Sequence, residues 1–414
     1  MNSQRFDQVT RLFGRATTRR QILAGVAGLG GATMLAAGAR RAASAQDEPA
    51  TPMATPGAPG DLLVRKNAAS QTADEKLRFV SAVLGLKKKP SPWLEDVSVY
   101  DTFVLWHRDA FGCGVMAAHM GPAFFPWHRQ FLHLFEEQLR LIEPSVTIPY
   151  WDWTVDNTGD AAVWGDDLLG GDGDPAADYG VTTGPFRKGK WTINVFDYSD
   201  QQRVPFLVRQ FGAGHLAPDL PTAEQVEAAL SISTYDVAPW NTMLPPGVSF
   251  RNDFEGWQDC VAETCDLEDG HNPICTGPHN LHNQVHLWVA GEYKLAHEGG
   301  RDLNPDGSPV GGSTATPTAV ADDSPNLFGS FAANSSPNDP VFFLHHANID
   351  RLWNIWMRRH GQTYLPVSGG PMGHNLDDPM WPYAHVGLMV TPRDVLDSTA
   401  LGYRYDSEAV ADQA

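Results

Sequence analysis

Apolar residues recur every three or four positions in several stretches of the chain, which is the spacing of a helix with one buried face. The first stretch precedes His107 and consists of Val99, Tyr100, Phe103 and Val104. The second follows Pro126 and His128, ends before Pro144, and consists of Phe131, Leu132, Phe135 and Leu139. Both patterns place a histidine on the buried side of a predicted helix.

A third helix is predicted in the last quarter of the chain. Asp339 is a favourable N-cap, and Pro340 suits the first helical position. From His346 the apolar face continues through Ile349, Trp353 and Met357. Asp350 lies one turn beyond His346 on the same side, whereas His345 points about 100° away. If His346 binds a metal, we expect the Asp350 carboxylate to accept its remaining ring N–H.

Long Gly-, Pro- and Asp-rich loops separate the helical patterns, for example at 155–185 and 299–326. Strand patterns are scarce, and residues 146–151 form a short candidate. Long loops around a few strong helices predict a mainly α fold with a helical core and few short strands.

The first 45 residues predict an export signal. They contain Thr17-Thr18-Arg19-Arg20-Gln21-Ile22-Leu23, then a Gly- and Ala-rich stretch, then Ala43-Ser44-Ala45. The paired arginines resemble a bacterial twin-arginine signal. A membrane anchor is the alternative, although the stretch is only weakly apolar for a spanning helix. Residues 46–60 predict a flexible linker, and residues 61–414 the main domain.

The charge balance excludes several kinds of partner. The formal net charge is −19, and residues 1–45 carry seven Arg against one acid, so the rest of the chain is more acidic still. Such a body repels the phosphates of nucleic acids and anionic lipids. No later stretch approaches about 20 consecutive apolar residues, so we expect no membrane span in the mature protein. A hydrophobic content of 42% argues against disorder, and four Cys are too few for a disulfide scaffold.

Histidine carries the candidate chemistry. Most of the fifteen His fall into three clusters, which contain His107, His119 and His128, then His282 and His286, then His345 and His346. The four-residue step of the second cluster places both rings on one helical face, where they can share a metal. Single buried histidines are usually structural, but two sets of three on apolar helical faces indicate a metal site.

The donor set indicates which metal. A set of imidazoles without a liganding carboxylate or thiolate suits copper. A zinc hydrolase more often contains His-Glu-x-x-His, which this chain lacks. A dinuclear zinc or iron hydrolase is the alternative.

These residues resemble the signatures of the tyrosinase and polyphenol oxidase family, whose members hold two copper ions (type 3 copper). His119 followed by Pro126-Trp127-His128-Arg129 is similar to the first copper signature. Two further stretches are similar to the second copper signature of the family. They are His282-Asn283-x-Val285-His286-x-Trp288 and Asp339-Pro340-x-Phe342-Phe343-x-x-His346-x-x-x-Asp350-Arg351. The spacing of Asp339, His346 and Asp350 also occurs in haemocyanins, which favours His346 over His345. The similarity extends from about residue 95 to Tyr403-Arg404-Tyr405-Asp406.

The resemblance implies a four-helix-bundle core that carries a dicopper site. One copper ion (CuA) would be bound by His107, His119 and His128, and the other (CuB) by His282, His286 and His346. Phe124 and Phe342, each four residues before a ligand, would pack on the site and exclude water. The run at 149–153 would be scaffold rather than site.

The implied activity is the oxidation of o-diphenols to o-quinones by dioxygen, with ortho-hydroxylation of monophenols if the enzyme is a tyrosinase. A catechol oxidase without monophenolase activity is the alternative, and a haemocyanin-like oxygen carrier is less favoured. In this family an Asn directly after the first CuB histidine, with a nearby acid, is proposed to orient a water that takes the phenol proton. Asn283 therefore favours a tyrosinase, but Pro273 occupies the usual place of the acid, with Glu268 and Asp269 further back. Leu287 offers no charge to a substrate.

The resemblance also implies features outside the site. Ala117 stands two residues before His119, where some relatives have a Cys, so we expect a plain imidazole. In an exported chain we expect a disulfide among Cys260, Cys265 and Cys275, and Cys113 could pair with the third or stay a buried thiol. We expect no C-terminal shielding domain, so the enzyme would be active as exported or masked by a separate helper protein, which could also load copper. Melanin precursors and lignin-derived phenols both remain candidate substrates.

Overall fold

A computed structural model describes residues 62–111, 117–196, 204–214, 217–242, 244–256, 260–261, 274–275, 280–293 and 327–408. The chain divides into two units, Met1–Ala54 and Thr55–Ala414, and every described residue belongs to the second. The predicted signal (1–45), the predicted linker (46–60), the predicted loop at 299–326, Cys113 and Cys265 lie outside the described residues. Every helix within the described ranges is too short or too polar to span a bilayer.

The described part of the chain is mainly helical, as the sequence predicts. Its α-helices are α1 (Ala73–Leu86), α2 (Val99–Phe111), α3 (Phe124–Arg140), α4 (Ala223–Ser231), α5 (Phe250–Glu255), α6 (Leu281–Ala290) and α7 (Val341–His360). Short 3₁₀ turns connect several of them, including Ser330–Ala332 and Ser336–Asn338 before α7.

Helix boundaries follow the capping chemistry with shifts of one or two residues. Helix α3 begins at Phe124, so Pro126 lies inside its first turn, where a missing N–H removes no helical hydrogen bond. Helix α7 begins at Val341, one residue later than predicted. Asp339 still caps it, because a carboxylate oxygen accepts a hydrogen bond from the Val341 N–H at 3.2 Å.

Strands in the described ranges are two or three residues long and occur in pairs. They are β1 (Leu63–Arg65), β2 (Gly173–Asp174), β3 (Gly180–Val181), β4 (Cys260–Val261), β5 (Ile274–Cys275), β6 (Glu292–Tyr293), β7 (Leu327–Phe328) and β8 (Tyr403–Tyr405). The pair β1–β8 is parallel and joins the two ends of the described region. In the antiparallel pair β4–β5, the backbone of Cys260 lies opposite that of Cys275.

The strand predicted at 146–151 is wrong. Only Tyr150 forms a bridge, with Asn67. The Ile148 N–H instead donates to the buried Glu136 carboxylate of α3 at 2.8 Å, so this segment pairs with a helix side chain rather than with another strand.

Helices α2, α3 and α7 pack through aromatic rings. Phe103 of α2 meets Phe135 of α3 at a centroid distance of 5.1 Å, and Phe135 stacks on Phe343 of α7. Helix α6 completes the four-helix core by placing His282 against His346 of α7, with ring centroids 4.9 Å apart. The site histidines are therefore carried by helices whose spacing is fixed by a dense aromatic core.

Candidate metal centre

Four helices and one loop bring the predicted histidines together. Helix α2 carries His107, the loop before α3 carries His119, and α3 carries His128. Helix α6 carries His282 and His286, and α7 carries His346. In each trio the potential donor atoms lie within 4.8 Å of one another. Five of these six rings are buried, and His286 is half-buried.

In the first trio, the Nε2 atoms face inward and the Nδ1 atoms are held from outside. His107 Nε2 and His119 Nε2 are 3.0 Å apart. His107 Nδ1 lies 2.7 Å from the Asn334 carbonyl oxygen, and His128 Nδ1 lies 2.8 Å from that of Phe124. A carbonyl can only accept, so both rings donate from Nδ1 and present the Nε2 lone pair to the centre.

The second trio also turns its Nε2 atoms inward, and two of its rings are held at Nδ1. His282 Nε2 lies 3.0 Å from His286 Nε2 and 3.3 Å from His346 Nε2. His286 Nδ1 contacts the Phe331 carbonyl oxygen at 2.7 Å, and His282 Nδ1 contacts the Asn283 side-chain oxygen at 2.7 Å. The two trios adjoin, since the His128 and His346 rings stack with centroids 4.1 Å apart.

Burial keeps these rings neutral. Desolvation lowers the pKa of His107 to about 3 and that of His286 to about 4. It also lowers the pKa of the other four rings, with neighbouring imidazoles adding to the effect. Neutral imidazoles keep the lone pair that a metal ion requires.

Hydrogen bonding separates His346 from its neighbour His345, which also lies within the second cluster. The Trp153 indole N–H donates to His345 Nδ1 at 3.2 Å, so the proton of a neutral His345 ring sits on Nε2. That nitrogen then has no lone pair to offer a metal. His346 instead turns Nε2 toward His282. The run at 149–153 thus orients a neighbour of the site.

The predicted role of Asp350 is wrong. Its carboxylate accepts from Arg129 at 2.5 Å and from Arg65 at 3.3 Å, and the Tyr403 and Tyr405 hydroxyls also donate to it. The Nδ1 atom of His346 is buried without a hydrogen-bond partner. One helical turn separates the two residues, but the two guanidinium groups compete more strongly for the carboxylate.

The acid near the site is Glu255 at the end of α5, which the sequence analysis missed. Its carboxylate lies 3.2 Å from His119 Nδ1 and accepts from the Met120 N–H. Burial raises the pKa of Glu255 to about 8, although Arg251 opposes the shift. The candidates considered from the sequence, Glu268 and Asp269, lie outside the described residues.

Asn283 connects this acid to the second trio. Its side-chain oxygen contacts His282, and its Nδ2 donates to the Glu255 backbone carbonyl at 2.8 Å. The acid lies 27 residues before His282 and 28 before Asn283 along the chain, so the short spacing expected from the resemblance could not reveal it. A search for any acid that ends a short helix before α6 would have identified it.

Two buried phenylalanines cover the rings. Phe342 stacks on His346 at a centroid distance of 4.1 Å and lies 4.8 Å from His107. Phe124 lies 4.9 Å from both His128 and His282. Leu287 is half-buried at the edge of the apolar core. These contacts leave the trios in an apolar surrounding.

The residues fit two copper ions. His128 Nε2 is buried with no hydrogen-bond partner, and several Nε2 pairs approach within about 3 Å, which is unfavourable for facing lone pairs unless a cation or a proton lies between them. Both described clusters contain histidine alone. Two adjoining sets of neutral imidazoles match the ligand preference of copper.

Comparisons with known proteins agree with this donor set. A family profile described as the common central domain of tyrosinase matches residues 97–359. A tyrosinase from Streptomyces glaucescens is 37% identical over 353 residues, which cover 84% of this chain and 100% of that protein. A grixazone synthase from Streptomyces griseus is 34% identical, and the match covers 83% of this chain and 99% of that protein. Among solved structures, a polyphenol oxidase from Thermothelomyces thermophila shares the fold, with a TM-score of 0.52 and 21% identity over 83% of this chain and 88% of that one.

Proposed function

The chain belongs to the tyrosinase family and is a type 3 copper polyphenol oxidase, and we propose that it both oxidises catechols to o-quinones and hydroxylates monophenols ortho to their hydroxyl group. The observation that carries this proposal is the convergence of six neutral imidazoles in two adjoining trios. Its substrates are phenols and dioxygen, with melanin precursors and lignin-derived phenols as the candidate phenols.

We propose that His107, His119 and His128 bind one copper ion, and that His282, His286 and His346 bind the other. The inward Nε2 atoms and the outward Nδ1–H contacts support this assignment. When bound, the copper pair supplies the two electrons that reduce dioxygen. Phe124 and Phe342 exclude water around the ligands, which keeps electrostatic interactions strong at the reacting centre.

We propose that the Glu255 carboxylate, in its ionised form, takes the phenol proton. A carboxyl with a pKa near 8 exchanges a proton readily around neutral pH. Asn283 positions this acid relative to His282 through its contact with the Glu255 backbone. Glu255 thus acts together with Asn283, which the sequence already predicts to take part in removing the phenol proton.

Oxygen uptake by the copper-loaded enzyme with a monophenol and with its catechol tests both proposals. We expect uptake with both substrates and about two copper ions per chain. In Glu255→Gln, we expect monophenol hydroxylation to fall about 100-fold while catechol oxidation changes little, because a catechol is the more acidic phenol and gives up its protons more readily without this base. Gln retains an acceptor for the Met120 N–H, and Arg251 keeps its partner Asp236.

The exposed Glu227→Gln is the matched control and is expected to behave as the wild type. Quinone from the catechol alone in the wild-type enzyme would establish a catechol oxidase. Reversible oxygen binding without catechol oxidation would establish an oxygen carrier.

We also propose that residues 1–45 direct export through the twin-arginine route, that residues 46–60 are a linker, and that residues 61–414 form the catalytic domain. The paired arginines and the acidic remainder of the chain support this organisation. A separate helper protein for copper loading is part of the proposal. Cell fractionation of Arg19→Lys combined with Arg20→Lys is expected to find the protein retained in the cytoplasm; unchanged export would refute the route.

A further inference from the structure

One short segment, residues 329–339, contacts a histidine of each trio; we name it the bridging segment. His286 Nδ1 lies 2.7 Å from the Phe331 carbonyl oxygen, and His107 Nδ1 lies 2.7 Å from that of Asn334. The Phe331 ring also stacks on His286, with centroids 4.1 Å apart. Two carbonyls only three residues apart therefore hold one ligand of each metal position.

The beginning of the bridging segment is fixed by close packing. A Cβ atom on Gly329 would lie 2.4 Å from the Ala290 carbonyl oxygen and 2.6 Å from that of Val208, so only glycine fits there. The next residue, Ser330, donates its N–H to the Val208 carbonyl at 2.9 Å and accepts the Val208 N–H on its hydroxyl at 2.8 Å. The segment thus starts from a rigid attachment beside α6.

The other end of the segment is attached beside α2. The Tyr100 hydroxyl donates to the Pro337 carbonyl at 2.6 Å, and Tyr100 lies two turns before His107 on α2. The Trp191 indole donates to the Asn338 carbonyl at 2.9 Å, and Arg209 forms a buried ion pair with Asp339 at 2.7 Å. Helix α2 is therefore joined to the bridging segment at two points, through the Tyr100 hydroxyl and through the ligand ring of His107.

The carbonyl contacts decide whether these two rings can bind a metal. A neutral imidazole with its proton on Nδ1 has a lone pair on Nε2, whereas the other tautomer does not. Each carbonyl stabilises the ligating tautomer and fixes the ring plane. Three other ligand rings are held at Nδ1 from elsewhere, by Phe124, Glu255 and Asn283.

We propose that the bridging segment couples the two copper positions, so that copper loads in pairs. The proposal rests on the ligand sets given under Proposed function. Copper bound by the first trio would fix the His107 ring, and the hydrogen bond from that ring would fix the Asn334 carbonyl. The bridging segment would then hold the Phe331 carbonyl where it orients His286 to bind the second copper ion. Coupling of this kind is reciprocal, so copper at the second trio favours loading of the first by the same factor.

The test is a copper titration of the full chain. The metal-free protein is titrated with Cu(I) held by a competing chelator, and native mass spectrometry measures the populations with no, one and two copper ions. For the wild type we expect the two-copper form to appear with little one-copper form. In the double variant Ala332→Gly with Ala333→Gly, both carbonyls remain but the backbone between them is more flexible. We expect the affinity of the second step relative to the first to fall about tenfold.

The matched control places the same two substitutions in another 3₁₀ turn. Ala176→Gly with Ala177→Gly alters the turn Pro175–Ala177, which contains no buried residue and lies outside the helices that carry the site histidines. This control is expected to load as the wild type does. Tyr100→Phe keeps the aromatic ring but removes the hydroxyl that attaches the segment at Pro337. We expect this variant, like the double glycine variant, to show a larger population with one copper ion than the wild type.

The outcomes are distinguishable. If the wild type fills its two positions independently, or if the bridging-segment variant loads as the wild type does, the coupling proposal is overturned. If no copper binds to the wild type, the proposed function itself fails. If thermal melting shows that the double glycine variant does not fold, Tyr100→Phe decides the question, and wild-type loading by that variant overturns the coupling.

Discussion

His346→Gln lowers the rate of catechol oxidation at least about 1,000-fold, and the purified variant holds fewer than two copper ions per chain. The expected loss exceeds the 10- to 100-fold effect of removing an outer hydrogen-bond partner, because His346 is a proposed ligand. Its Nε2 atom faces His282 at 3.3 Å, and its ring is fully buried. Copper analysis and oxygen uptake on the same preparation measure both effects.

The control is His345→Gln, one residue earlier on α7. The Trp153 indole N–H donates to Nδ1 of His345, so the proton of this ring is on Nε2 and neither nitrogen offers a free lone pair to a metal. We expect this variant to retain two copper ions and most of its catechol oxidation, since Gln offers the indole an acceptor oxygen. Loss of copper from His345→Gln together with full loading of His346→Gln would reverse the assignment.

Asp350→Ala lowers the free energy of unfolding by about 3–5 kcal/mol, the usual cost of leaving a buried charge without its partner. The Asp350 carboxylate accepts hydrogen bonds from Arg129, Arg65 and two tyrosine hydroxyls, all buried. Arg65 keeps a second carboxylate, Glu136, at 3.0 Å, whereas Arg129 loses its only ion-pair partner among the described residues. Urea unfolding followed by far-UV circular dichroism measures the change.

The acid dependence of this contribution has a definite sign. Burial opposes ionisation, but Arg129 and Arg65 outweigh it and lower the pKa of Asp350 below its ordinary value. A carboxyl with a lowered folded-state pKa stabilises the protein above its unfolded pKa, about 3.9, and loses this contribution as the pH falls below it. The difference between wild type and variant therefore shrinks at acid pH.

Asp377→Ala is the control for the loss of an ion pair. Asp377 pairs with Arg393, and both side chains are more than half exposed, so water replaces the partner. Its unfolding curve is expected to coincide with that of the wild type. Equal loss of unfolding free energy in Asp350→Ala and Asp377→Ala would show that the buried network stabilises the protein no more than an exposed ion pair does.

The Asp350 network also explains why the segment after residue 400 belongs to the core. Tyr403 and Tyr405 lie on β8, and Arg65 lies on its partner strand β1. Their hydrogen bonds to Asp350 attach both strands to α7, one helical turn from His346. The spacing of Asp350 from His346 suggested a ligand-orienting role, but the carboxylate instead fixes the helix that carries His346.

The helices that carry site histidines, and their buried faces, follow from the sequence alone. The apolar spacing around His107, His128 and His346 is local information, because side chains three or four residues apart share a face whatever the rest of the chain does. The same holds for the helix-capping role of Asp339. The histidine-only donor set and the similarity to the tyrosinase family also come from the sequence, and they favour copper before any distance is known.

Only the tertiary structure decides which nitrogen each ring presents and which acid stands beside the site. His107 takes its carbonyl partner from 227 residues away, His286 from 45 residues away, and Glu255 approaches His119 across 136 residues. No local pattern encodes such partners, because hydrogen-bond acceptors are set by how helices and loops meet in space. The correction of Asp350 and the bridging segment arise from these long-range contacts, and the Trp153 contact of His345 supports the choice of His346 that the sequence already predicts.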